Sequence, residues 1–273
     1  MKQGIDVAQW QGTINWAKVL KDFAILKVTQ KNNTIEPKFT ENYNGCIANN
    51  IPVGVYRYVY AKNTTQAKAE ADAIVNILKG LKIPVGVWLD MEDTSIKSLG
   101  KNNLTNIINV MGNTIKAAGF NVGIYCNRDW YLNVLDGERL SKTYPFWIAR
   151  YPSKDTGTFN ANSSLNPKAY AKAWQYSSKG KVNGITGDVD LDVIFDDALI
   201  GAVPVAETTS YYPKYTGNST SIVVALSAVG EKDTSLAHRK KIAIANGIGN
   251  YTGKATQNTQ MLNLLKQGKL KRI

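Results

Sequence analysis

A chain of 273 residues with 44% hydrophobic and 10% aromatic content is long enough for one large domain with an appendage, and too apolar to stay unfolded. Its net charge of +12 draws it toward polyanions. No arginine-rich helix or nucleic-acid motif accompanies that charge, which argues against nucleic acid as the partner. Two distant cysteines, Cys46 and Cys126, set up no disulfide framework, and the absence of an 18-residue apolar span argues against membrane insertion.

Short apolar runs predict eight strands, at 3–7, 23–29, 53–59, 85–91, 122–126, 146–150, 171–176 and 188–194. Between the third and fourth, Ala67, Ala71, Ile74 and Leu78 recur at helical spacing. Between the fourth and fifth, Leu104, Ile107, Ile108, Met111, Ile115 and Ala118 do the same. The connections 151–170 and 177–187 are rich in Gly, Ser, Asn and Lys and read as loops. Eight strands with helical crossovers fit an α/β barrel of parallel strands whose later helices are missing. A doubly wound open sheet is the alternative, weakened because no glycine-rich phosphate loop follows the first strand.

Residues 201–210 have linker composition: small, polar and without periodicity. From 201 to the end there are ten Lys or Arg against three Asp or Glu, so the short tail is denser in positive charge than the rest. Segments 219–229, 236–246 and 256–267 read as helices, with Ser235 and Thr256 as expected N-caps.

In a parallel barrel the carboxyl ends of the strands share one face, where active sites form. Those ends carry Asp6; Lys27; Tyr56 and Tyr58; Asp90 and Glu92; Tyr125; Trp147; Trp174 and Gln175; and Asp188, Asp190 and Asp192. Asp90 and Glu92, two apart, project from one strand face. Close carboxylates drive each other's pKa values apart, so that one stays protonated near neutral pH. In a closed barrel Asp6 and Asp190 sit on adjacent strands, with Asp90 and Glu92 across the mouth. Acids on both sides of an aromatic cleft suit glycosidic bond cleavage. The single His238 lies in the tail and is expected at the surface, so the barrel has no histidine for a Ser-His-Asp or Cys-His arrangement. A carboxylate-only magnesium or calcium site at Asp6, Asp90 and Asp190 is the weaker alternative, and no metal or cofactor is expected.

Gly4-Ile-Asp-Val-Ala-Gln-Trp10, Val85-Gly-Val-Trp-Leu-Asp-Met-Glu92, Gly123-Ile-Tyr-Cys-Asn127, Phe146-Trp-Ile-Ala149, Ala173-Trp-Gln-Tyr176 and Val189-Asp-Leu-Asp192 together resemble the family 25 glycoside hydrolases. These are the Chalaropsis-type lysozymes, common as phage endolysins and bacterial autolysins. Over residues 1–200 the resemblance implies an irregular TIM-like barrel of five β/α units and three further strands. It implies an N-acetylmuramidase that hydrolyses the β-1,4 bond between N-acetylmuramic acid and N-acetylglucosamine in bacterial peptidoglycan. Glu92 matches the family's proton donor, and Asp6, Asp90 and Asp190 complete its acidic set. Asp192 stands where the family often has Asn and is left out. Arg57 stands where His is common and Lys27 where Arg is common, departures that bear on substrate contacts.

Two mechanisms stay open: attack by the substrate's own acetamido oxygen with Asp90 orienting it, or a water activated by Asp6 or Asp190. Tyr56, Tyr58, Tyr125, Trp147, Trp174 and Gln175 are the expected substrate contacts. An N-acetylglucosaminidase and a non-catalytic wall-binding protein are the competing readings. The tail, 211–273, resembles wall-binding modules of clostridial-type phage lysins through Asn246-Gly-Ile, Asn250-Tyr-Thr-Gly253 and the run 257–268. That implies a partner in anionic wall polymer; the alternatives are a merely stabilising appendage or a contact for homo-oligomers. Synthesis in the host cytoplasm without a signal peptide, and action on the wall after release, complete the expectation.

Overall fold

The computed structural model describes residues 1–201, 211–249 and 251–272. All of the expected linker except Gly201 lies outside the described residues. The chain divides into two compact units, Met1–Val205 and Ala206–Ile273.

The first unit is a closed barrel of eight strands in sequence order: β1 (Lys2–Val7), β2 (Phe23–Lys27), β3 (Val53–Tyr58), β4 (Val87–Asp90), β5 (Val122–Asn127), β6 (Phe146–Ala149), β7 (Ala173–Gly180) and β8 (Val189–Ile194). Each of the first five leads into helical turns. β1 is followed only by the 3-10 turns Gln9–Gln11 and Trp16–Lys18. Full helices follow the next three: α1 (Phe39–Ala48), α2 (Thr64–Leu78) and α3 (Lys101–Ala117). A π-turn at Trp130–Val134 and the short α4 (Gly137–Leu140) follow β5. The run from Arg150 to Lys172 has no helix, as its composition predicts.

The all-parallel expectation fails at one strand. β8 runs antiparallel to both β7 and β1, because a short hairpin rather than a crossover joins it to β7, and a hairpin reverses direction. The amino end of β8, not its carboxyl end, therefore meets the carboxyl ends of the other seven.

Side chains alternate in and out along each strand. Ile5, Val7, Ala24, Leu26, Val53, Val55, Val87, Leu89, Ile124 and Ile148 face outward into the core shared with the helices. Phe23, Ile25, Trp88, Tyr125, Trp147, Ala173 and Ile194 form a separate inner cluster. Glycines make room for the large inner rings: a Cβ on Gly123 would collide with Trp88, and one on Gly4 with Phe23. Gly86 enters β4 at φ 79, left-handed backbone that favours glycine.

The second unit holds α5 (Ile222–Ala228), α6 (Leu236–Ala245) and α7 (Ala255–Lys266) around Tyr212, Leu226, Ile242, Tyr251, Met261 and Leu265. Ser235 caps α6, its side chain accepting from the His238 backbone N–H. Thr256 is not a cap: it lies inside α7, which begins after Lys254. His238 is not a free surface group either. Its ring is half-buried, with Nε2 3.4 Å from Glu231 and Nδ1 3.9 Å from Asp233.

Candidate active site

At the end of the barrel where β1–β7 finish, a recess of about 130 Å³ is lined by Asp6, Lys27, Tyr56, Tyr58, Asp90, Glu92, Tyr125, Trp147, Gln175 and Asp190. The four expected acids and five of the six expected contacts thus come together. Strand register explains the assembly. Asp6 pairs directly with Asp190 across β1 and β8, and Asp90 stands between Tyr58 of β3 and Tyr125 of β5. Asp190 reaches this end because it begins its antiparallel strand. A wider groove of about 790 Å³ beside Trp16, Glu41 and Gly184 carries only one carboxylate and lies apart from these acids.

Trp174 is the exception. It lies between inward-pointing Ala173 and Gln175, so alternation turns it outward. There it packs on Phe159 and Tyr176 and donates to the Arg150 carbonyl at 2.8 Å. Arg57 is turned outward for the same reason, between Tyr56 and Tyr58. It is 1% exposed, pairs with Glu70 at 3.1 Å and donates to the Thr29 hydroxyl at 2.9 Å. The substitution at Arg57 therefore makes no contribution to the recess, whereas Lys27 lines it. Lys27 Nζ stands 5.9 Å from the ring centres of both Tyr56 and Tyr58.

One side of the recess is a chain of hydrogen bonds. Gln175 donates to Asp6 Oδ2 at 2.6 Å, and its carbonyl oxygen accepts from Tyr125 at 2.7 Å and also from Tyr151. Beneath, Trp147 donates from Nε1 to Asp192 Oδ1 at 3.0 Å, with its ring 4.4 Å from that of Tyr125 and edge-on to Trp88. Trp147 is therefore a buried floor rather than an open platform. Asp192, set aside at the level of sequence, is wholly buried next to Asp6. Asp188 pairs with Lys179 and Lys181 outside the recess.

The electrostatics follow from crowding acids in a dry place. Burial pushes the Glu92 carboxyl above the usual range. Burial, reinforced by Glu92, pushes Asp90 well above it, with the Lys27 ammonium pulling the other way. Asp90 Oδ1 is buried without a hydrogen-bond partner among the described residues. Burial, then the charges of Asp190 and Asp192, raise Asp6, and burial with the Asp190 charge raises Asp192 beside it. Burial and the Asp155 charge raise Asp190 to about 6. The recess therefore presents carboxyls that burial makes harder to ionise on the β4 side and a second acid group on the β1–β8 side. Among the described residues no cluster of His, Cys, Asp or Glu is arranged to hold a metal ion.

In the sequence Lys27 stands only as a strand-end residue and a departure bearing on substrate contacts, and Tyr151 and Asp192 are not among the expected site residues. Strand position alone singles out Lys27, which shares the inward face of Ile25 and lines the recess. The hydrogen bond from Tyr151 spans a loop and leaves no local pattern.

The model of the glycosyl hydrolases family 25 matches residues 5–185 of the chain. Lysozyme M1 of Streptomyces globisporus is 30% identical over 205 residues, covering 69% of this chain and 66% of that protein. The autolytic lysozyme of Clostridium acetobutylicum is 26% identical over 208 residues, covering 75% of this chain and 59% of that protein. Among solved structures, the modular autolysin LytC of Streptococcus pneumoniae, in complex with a synthetic peptidoglycan ligand, aligns with a TM-score of 0.60 at 26% identity. That alignment covers 71% of this chain and 46% of LytC. The lysozyme of Streptomyces coelicolor aligns at 0.57 and 26% identity, covering 76% of this chain and 98% of that one. The matches thus span about half to two thirds of the length of these relatives, the Streptomyces coelicolor lysozyme excepted.

Proposed function

Because the chain belongs to the glycosyl hydrolases of family 25, we propose that it is a peptidoglycan-degrading lysozyme of the endolysin type, an N-acetylmuramidase. The bond it cuts is the β-1,4 link from N-acetylmuramic acid to N-acetylglucosamine. The observation that carries this reading is the recess itself: Glu92 and Asp90 face Asp6 and Asp190 among Tyr56, Tyr58 and Tyr125.

Glu92, whose carboxyl burial makes harder to ionise, gives its proton to the glycosidic oxygen as the C–O bond breaks. The acetamido carbonyl oxygen of the same sugar closes on the anomeric carbon, forming a cyclic oxazolinium. Asp90 accepts the acetamido N–H at its unpartnered oxygen and so orients the acetamido group for attack. Glu92, now a carboxylate, takes a proton from a water that opens the ring, and the anomeric configuration is retained. Asp6, fixed by Gln175, and Asp190 contact sugar hydroxyls on the far side. The alternative, a water activated by Asp6 or Asp190, would invert the configuration. The second unit, with its excess of Lys and Arg, holds the enzyme to the anionic wall and raises its local concentration there.

Glu92→Gln removes the transferable proton at nearly constant shape. Release of reducing ends from purified peptidoglycan should fall about 10²–10⁴-fold with the melting temperature unchanged. Retained hydrolysis by a folded variant would refute the assignment.

A further inference from the structure

The second unit, taken alone, carries a groove of about 520 Å³, within the volume range of small-ligand sites. One wall is aliphatic, made by Ile222 and Val223 at the start of α5 and by Leu236 of α6. The other centres on Arg239 and includes Asn258 and Thr259 of α7. Val223 is 37% exposed and Leu236 51%, apolar area the unit's own core leaves uncovered.

Arg239 is half-buried and forms no ion pair among the described residues. It is nonetheless held in place. Nε donates to the Thr234 carbonyl at 3.0 Å, and Nη1 donates to the Tyr251 hydroxyl at 2.9 Å and to Asn258 Oδ1 at 3.2 Å. Asn258 is itself fixed by the Gly253 carbonyl at 2.9 Å and by the Tyr251 hydroxyl. The two tail motifs singled out in the sequence, 250–253 and 257–268, thus converge on one guanidinium. All of its acceptors are neutral, and Nη2 has none among the described residues. The nearby acids serve other groups: Glu231 accepts from Tyr212 and faces His238, and Asp233 accepts from the Ser235 N–H. A partly desolvated guanidinium without a counter-charge is costly unless a ligand supplies one.

We propose that this groove binds the free carboxylate of a wall stem peptide, with Arg239 Nη2 as the anion contact and Val223 and Leu236 against the methyl side chains beside that carboxylate. The aliphatic wall decides between anions: an alanine-ending peptide carries methyl groups next to its charge, whereas a polyol phosphate carries none. The inference rests on the wall-binding reading of this unit and assigns it a residue-level site.

The test uses the full chain carrying Glu92→Gln, so that walls are bound but not digested, in co-sedimentation with purified Gram-positive walls. Walls freed of phosphate polymers by hydrofluoric acid should still bind the protein, because their peptides remain. Removal of the peptides by an amidase should release the protein. Diacetyl-L-lysyl-D-alanyl-D-alanine should compete, and its C-terminal amide should not. Arg239→Gln should weaken binding about tenfold or more. Val223→Glu, which places a like charge in the groove without touching the bonds of Arg239, should do the same at an unchanged melting temperature. Equal binding by parent and Val223→Glu overturns the groove assignment alone. Binding that follows the phosphate polymer instead of the peptide overturns the ligand. A parent that pellets with no wall preparation overturns both this inference and the wall-binding reading.

Discussion

At the scale of single residues, the barrel's mouth concentrates five carboxyls that resist ionisation. Burial raises all five; the Asp190 charge adds to it at Asp6 and Asp192, Glu92 adds to it at Asp90, and Asp155 adds to it at Asp190. An aspartate in the unfolded chain loses its proton near pH 4. The folded cluster keeps its protons longer, so its contribution to stability is complete below about pH 4. That contribution is lost as pH rises through the folded values, of which Asp190 at about 6 is one. Asp192→Asn keeps the acceptor for Trp147 and removes one of the buried acids. The variant's barrel should melt higher than the parent at pH 7, by about 2–4 °C for each kcal/mol relieved, and equally at pH 4. Scanning calorimetry at the two pH values checks this, and a gain confined to pH 4 would contradict the sign. The acidic set was legible in the sequence because strand ends and i,i+2 spacing are local. Trp174 shows the limit. Its motif was read correctly, yet its direction depends on which neighbours point inward, and Gln175 settles that only once the strand is paired.

At the scale of elements, strand alternation decides which side chains do chemistry and which hold the barrel to its helices. Arg57 belongs to the second group. It leaves β3 outward and binds Glu70 of α2, itself only 7% exposed along its side chain. Deleting one partner of a buried ion pair strands the other, at a cost of about 3–5 kcal/mol. Glu70→Ala should therefore lower the chemical-denaturation midpoint markedly while leaving the specific activity of folded molecules unchanged; a loss of activity without a loss of stability would place Arg57 in the site after all. Eight strands and the two long barrel helices were readable from apolar periodicity. The reversal of β8 was not, because its run of alternating residues has the same pattern in either direction, and only the short connection from β7 forbids a parallel crossover. The reversal also spared the reading of Asp190, which reaches the mouth from the strand's start.

At the scale of the whole molecule, the charge of +12 and the two-unit organisation fit an enzyme that works on an anionic solid. Electrostatic attraction over distances beyond about 8 Å is screened at physiological salt. Wall lysis should accordingly fall several-fold between about 50 mM and 500 mM salt, while hydrolysis of a soluble wall oligosaccharide changes little. Parallel turbidity and reducing-end assays separate the two, and an equal decline in both would place the salt effect in the barrel instead. The central claim concerns the bond. Mass analysis of muropeptides after digestion of purified peptidoglycan reads it directly: fragments whose new reducing end is N-acetylmuramic acid are the predicted result, and fragments ending in N-acetylglucosamine would contradict it.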